Sequence, residues 1–197
     1  ERLDKAGITV PMRQIAGELS PFMYEIDEMM KLDPVRMVSR IRRDTRYTHD
    51  KHMYRDNLWV MFMRPKHEWR YHPCMWFEVC QYSFSYGVGT YDVTPALMEL
   101  YRKALLERSD EFLKAAKSAE SIGAAFSAEE YKKPKPGTPS GELQKYYNVK
   151  NLFFVKHRRD FKTLESDEII KQLKEEYKAY APMYKFLLSI SDEYISS

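Results

Sequence analysis

Apolar positions recur at three- and four-residue steps near both ends of the chain and at two-residue steps in between. Met12, Ile15, Ala16, Leu19, Met23, Ile26 and Met30 form the first stripe and predict a helix over 10–31. Thr9 is placed to cap it and Pro11 to occupy its first turn. Pro21 should break or kink it, and Pro34 should close the region. The period then shortens to two. Residues 35–47 read as a strand in which Met37 and Ile41 alternate with polar neighbours, and 57–64 as a second, more buried strand. The polar stretch from Pro65 to Pro73 reads as a long hairpin loop. Residues 74–81 and 83–91 read as two more strands. Gly87 and Gly89 in the last of these predict a bulge against which an arginine packs.

From Thr94 the helical period returns. Thr94 caps, Pro95 takes the first position, and Leu97, Leu100, Tyr101, Ala104, Leu105, Phe112, Leu113 and Ala116 form the buried stripe. Lys132 to Gly141 is a loop by composition. Residues 151–155 read as a short extended segment. Residues 166–193 read as a helix started by Ser166-Asp167-Glu168 and interrupted at Pro182. Strands gathered in the first half with no helices between them predict an α+β fold. Its antiparallel sheet should have about four strands, packed by an N-terminal helix and C-terminal helices.

A length of 197 residues suits one α+β domain over 1–197. Glu1 stands where an initiating Met would, so this reading leaves room for a segment ahead of it. The 32 cations against 29 anions leave a net charge of +3, too balanced to imply nucleic acid from totals. No apolar run reaches the ~18 residues of a membrane span, and no signal peptide is visible. Cys74 and Cys80 share a strand face but would sit roughly 20 Å apart, too far for a disulfide. Free thiols fit a reducing, cytoplasmic setting.

Charge density changes the picture in one place. Residues 40–51 hold five cations (Arg40, Arg42, Arg43, Arg46, Lys51) and two carboxylates (Asp44, Asp50). In an extended chain Arg40, Arg42, Asp44 and Arg46 share one face, with Arg43 and Tyr47 on the other. Two readings stand: an arginine–carboxylate lattice tying the strand down, or a phosphate or carboxylate site, because the guanidinium fork matches such oxygens. A histidine beside a carboxylate can serve as general base, which makes His49, Asp50 and Asp44 the catalytic candidates. His67, His72 and His157 lack metal-ligand spacing, so no metal and no cofactor is implied. Tyr86-Gly-Val-Gly-Thr-Tyr91 opens no helix and carries no Lys-Ser/Thr, and so is no phosphate loop. Pro136-Gly-Thr-Pro139 reads as connecting loop rather than as a ligand for an SH3-type domain. Common hydrolase, zinc-protease and nucleotide-loop motifs are absent from the sequence.

Arg40-Ile-x-Arg43-Asp44-x-Arg46-Tyr47-Thr48-x-Asp50-Lys51-x-x-Tyr54-Arg55 resembles the motif Arg-Ile-x-Arg-Asp-x-Arg-Phe-Ser-Lys-Asp-Lys-Thr-Pro-Tyr-Lys of the domain of unknown function 2461 family, conserved hypothetical proteins of bacteria and fungi. Gly87-x-Gly89 resembles that family's glycine-rich segment, and Arg102 a family arginine on the following helix. Lys132, Lys133, Pro134 and Gly137 resemble its Lys-Arg-x-Pro-Lys-Gly segment. Lys150 resembles a later lysine, and Phe186-Leu187 a terminal Phe-Leu. The resemblance spans roughly residues 12–190. His49 stands for the family lysine, His52-Met53 for Thr-Pro, and the family's N-terminal Asn-Asn-x-x-x-Trp-Phe is absent from the sequence. The resemblance implies an α+β fold and a cytoplasmic protein, and carries no activity, cofactor or catalytic residue.

The sequence therefore predicts a protein that binds an anionic small molecule through Arg40, Arg43, Arg46, Lys51 and Arg55, with Arg102 and Lys150. Two alternatives stay open. One is a phosphate-ester hydrolase or transferase with Asp44 or Asp50 as base and the arginines clamping charge. The other is a structural or protein-interaction domain in which these charges tie the fold together.

Overall fold

The computed structural model describes residues 5–42, 46, 54–65, 67, 69–166 and 168–196. A π-helical turn, Lys5–Thr9, leads into helix α1, Val10–Ile26, which buries Met12, Ala16, Leu19 and Met23. Thr9 keeps helical backbone angles and makes no capping bond, contrary to the role its position suggests. The helix ends earlier than its apolar stripe, because Asp27 turns extended and returns its N–H to the Met23 carbonyl at 3.1 Å. The Asp33 carboxylate then accepts from the Val35 N–H at 2.9 Å and caps a single helical turn, α2, Pro34–Met37.

That turn corrects the strand expected over 35–47. Beyond it, among the described residues, the chain meets the sheet at an isolated bridge, Val38 to Val60, and a second bridge joins Arg42 to Tyr54 ahead of the first strand. Residues 43–45 and 47 of that stretch lie outside the described residues.

Five strands form one antiparallel sheet: β1 (Asn57–Phe62), β2 (Cys74–Cys80), β3 (Phe84–Thr90), β4 (Ala125–Ser127) and β5 (Leu152–Arg158), in the order β1-β2-β3-β5-β4. β5 is a full strand rather than a short segment, and β4 adds an edge that apolar spacing did not signal. The expected helix after Thr94 divides in two, α3 (Pro95–Glu107) and α4 (Ser109–Ser121), at Arg108. The Thr94 hydroxyl accepts from the Leu97 N–H as anticipated. After the loop over 132–140 come a short helix α5 (Gln144–Tyr147) and, beyond β5, the long α6 (Glu168–Ser196). Pro182 does not interrupt α6, nor does Pro21 interrupt α1. Both prolines lie on exposed sides, where water can satisfy the carbonyl that the missing N–H would have bonded.

Side chains alternate across the sheet. One face, with Val60, Phe62, Met75, Phe77, Tyr86, Val88 and Phe154, is fully buried. α6 crosses it: the Tyr177 hydroxyl donates to the Trp76 carbonyl at 2.7 Å and the Tyr180 hydroxyl to the Tyr86 carbonyl at 3.3 Å. On the same helix Glu176 accepts from the Tyr86 hydroxyl at 2.7 Å, from Lys156 at 2.9 Å and from Gln172 at 2.9 Å. This buried carboxylate has its hydrogen bonds filled from within the fold, as structural charges do. Among the described residues no helix is long and apolar enough to cross a membrane.

Candidate functional site

The second face of the sheet reads in rows fixed by register. Trp59 of β1 stands opposite Glu78 of β2, then Ser85 of β3, then His157 of β5. The next row is Met61, Trp76, Gly87, Val155 and Ala125. Beyond it come Cys74, Gly89, Phe153 and Ser127. Trp59, Met61, Trp76, Glu78, Phe153 and Val155 are only half-buried, so this face keeps an aromatic and polar surface.

The two glycines make that surface flat. A Cβ on Gly87 would come within 2.7 Å of the Trp76 ring and would also press on the Phe154 carbonyl. At Gly89 the Phe153 ring lies 2.6 Å from where a Cβ would be. Trp76 and Phe153 meet edge to face with centroids 5.5 Å apart. β3 pairs residue for residue with both neighbours, so no bulge forms, and aromatic rings rather than an arginine occupy the space the glycines leave.

At the polar end of this face, where β1 begins and β2 turns into β3, lies a cleft of about 520 Å³ lined by Arg55, Asp56, Asn57, Cys80, Gln81, Tyr82 and Ser83. The exposed Arg55 lays its guanidinium 4.8 Å above the centroid of Trp59, a cation–π contact. No ion pair holds it among the described residues. The backbone of the cation-rich stretch runs beside it: the Arg55 N–H donates to the Ile41 carbonyl at 2.9 Å, and the Ser39 N–H to the Trp59 carbonyl at 2.8 Å. Arg40 and Arg42 are exposed along this edge, and Arg46 is exposed as well. The structure thus brings Arg40, Arg42 and Arg55 together on the outer edge of β1.

Glu78 completes the polar end. Asn57 Nδ2 donates to one carboxylate oxygen, and the Ser85 hydroxyl to the other at 3.4 Å. Burial and the Glu78 charge push the Cys80 thiol up, with a Ser83 hydrogen bond opposing them. Cys80 is therefore a protonated lining group, and no activated nucleophile. Cys74, fully enclosed at the other end of β2, is pushed up to about 12 by burial, and both thiols are free.

Arg102 and Lys150 stand elsewhere. Lys150 precedes β5 at Leu152, which pairs with Thr90, whereas the cleft lies at the Phe84–Arg158 end. Six residues of strand, roughly 20 Å, separate those ends. The buried Arg102 guanidinium lies 2.6 Å from the Glu99 carboxylate, and Lys150 pairs with Glu129. Together with Lys135 they surround the Tyr131 ring, at 5.8, 5.8 and 4.4 Å from its centroid. Arg102 hydrogen bonding holds the Glu99 carboxyl below its ordinary value. These charges form a paired lattice around one phenol, so the two cations do not join the others at the cleft.

Arg43, Asp44, His49, Asp50 and Lys51 lie outside the described residues. Among the described residues no three His, Cys, Asp or Glu side chains converge as metal ligands. Sequence reasoning overlooked Glu78, Trp59 and Trp76. Alternation along β1 does place Asn57, Trp59 and Met61 on one side, but only the register shows that Glu78 faces them.

No curated protein and no solved structure matches the chain. The family model described as conserved hypothetical protein (DUF2461) matches residues 5–186, and the chain belongs to that family.

Proposed function

We propose that the protein binds a phosphate- or carboxylate-bearing small molecule in the cleft beside Arg55. The observation that carries this reading is a guanidinium at the mouth of a cleft of about 520 Å³, fixed over Trp59 and paired with no carboxylate among the described residues. Preorganised arginine is the side chain best suited to forked recognition of such oxygens. The volume falls in the ordinary range for small-molecule sites. Exposed Arg40 stands along the same edge and adds positive potential there. Arg43 and Lys51 belong to the same motif and are assigned to the site on that ground. A cytoplasmic setting goes with the two free thiols.

Isothermal titration with inorganic phosphate, nucleoside monophosphates and small carboxylates at low salt tests this. At least one class should bind, and Arg55→Gln should weaken it about tenfold or more, as loss of a charged hydrogen bond does. Lys150→Gln, in the remote lattice, should leave affinity within twofold. Binding should weaken as salt screens the edge. Retention of no anion, or equal affinity in Arg55→Gln, would overturn the reading.

A further inference from the structure

The observation that points further is Glu78. It stands directly opposite Trp59 on the neighbouring strand, the same indole that carries Arg55. Its hydrogen-bond partners, Asn57 and Ser85, are both neutral. A carboxylate oxygen has room for a further donor beyond one such bond. No ion pair joins Glu78 to Arg55 or to another cation among the described residues. Among the described residues, Arg55 and Glu78 thus flank one aromatic ring with no ion pair between them. Directly opposed side chains in an antiparallel pair start ~5 Å apart at Cβ, so Glu78 stands beside the ring over which the Arg55 guanidinium lies.

A ligand that carried only negative charge would meet Glu78, and Asp56 at the cleft, as repulsion. A ligand bearing both signs satisfies both tips. We infer that the ligand is a zwitterion, with its acid on Arg55, its ammonium on Glu78 and its apolar body on Trp59 and Trp76. This rests on the reading of the Arg55 cleft as an anion site. The ammonium sits beside Trp59 as well as Glu78, so the ring contributes through its face. Gly87 provides the floor: with no side chain there, Trp76 lies down on β3 and leaves a flat platform next to the charges.

Matched pairs test the assignment, since each pair differs only in the ammonium. L-phenylalanine is compared with 3-phenylpropanoate, and O-phosphoethanolamine with ethyl phosphate, by isothermal titration. The first pair reports a carboxylic acid, the second a phosphate. In at least one pair the zwitterion should bind about tenfold tighter than its deaminated partner. Glu78→Gln should erase that preference, and with the repulsion gone the deaminated compound should bind at least as tightly as before. Arg55→Gln should weaken both members alike. Equal or tighter binding of the deaminated compounds, a preference that survives in Glu78→Gln, or no binding of either pair would each overturn the zwitterion. Inorganic phosphate or a nucleotide that still bound through Arg55 would leave the anion site standing.

Discussion

Asp27→Ala is expected to remove about 4 kcal/mol of stability, or roughly 10 °C in Tm, because it takes the buried carboxylate partner from a largely buried guanidinium. One carboxylate holds three parts of the chain here. It accepts from Arg64 Nε at 2.8 Å, from the Tyr184 hydroxyl at 2.8 Å and from the Met29 N–H at 3.0 Å. Asp27 closes α1, Arg64 follows β1, and Tyr184 sits in the middle of α6. Only 4% of the Asp27 side chain and 11% of the Arg64 side chain are exposed. After truncation Arg64 keeps only the half-exposed Asp192, at 2.8 Å. The Tyr184 hydroxyl then points into the core with no acceptor from Asp27. Urea denaturation checks the figure. Pairing the change with Arg64→Met should recover a large part of the loss, since no orphan charge then remains. A single-variant loss below about 1 kcal/mol would show that the carboxylate does not tie these elements together.

The same carboxylate sets an acid limit. Burial alone would raise the Asp27 pKa, but hydrogen bonds from Arg64, Tyr184 and the Met29 N–H outweigh it and hold it below the ordinary 3.8. Glu176 behaves alike: burial raises it, and Lys156, Tyr86 and Gln172 together bring it below 4.5. A carboxyl that is more acidic in the folded state stabilises fully above its unfolded value, and loses that contribution as pH falls through the folded one. Stability should therefore be flat from neutral pH to about 5 and fall below about 4. Asp27→Asn, which no longer titrates, should show a shallower acid limb in stability measured against pH.

Elements whose determinants are local could be read from the sequence. Thr94-Pro95 marks the start of α3 because cap and first turn are adjacent in sequence, and the stripes of α1 and α6 follow from apolar spacing alone. The strand expected over 35–47 failed for an equally local reason. Asp33-Pro34 is itself a helix start, and its cap bond to Val35 outweighs two alternating apolar residues. β4 could not be seen because its three residues are exposed or half-exposed and owe their conformation to β5 across the ladder. The candidate site divides along the same line. Arg55 stands out within a dense motif, whereas Glu78 looks like any polar residue on a strand until pairing sets it against Trp59. Arg102 and Lys150 looked like more of the same charge, and only tertiary packing shows Glu99 and Glu129 matched to them.

Gly87→Ala is expected to cost about 3 kcal/mol, well beyond the usual penalty of one added methyl group. The reason is close approach rather than backbone conformation, since the glycines with positive φ are Gly123, Gly137 and Gly141. At Gly87 the new Cβ would lie 2.7 Å from Trp76 Cη2 and 2.8 Å from Cζ2, and would also meet the Phe154 carbonyl of β5. Neither side yields easily. The Trp76 ring is wedged edge-on by Phe153, and its carbonyl is held by the Tyr177 hydroxyl at 2.7 Å. The Phe154 carbonyl belongs to the β3–β5 ladder. Gly123→Ala is the internal comparison. Its φ of +82° strains an alanine, but nothing lies within 4 Å of the added carbon, so the expected loss is about 1 kcal/mol. Urea midpoints for the two variants should differ accordingly, and equal losses would mean that Trp76 moves aside freely. If Gly87→Ala still folds, Trp76 is tilted off the floor it shares with Trp59, with a changed tryptophan emission. Ligands with an apolar body should then lose more affinity than inorganic phosphate, because the methyl group disturbs the platform and leaves the Arg55 end of the cleft in place.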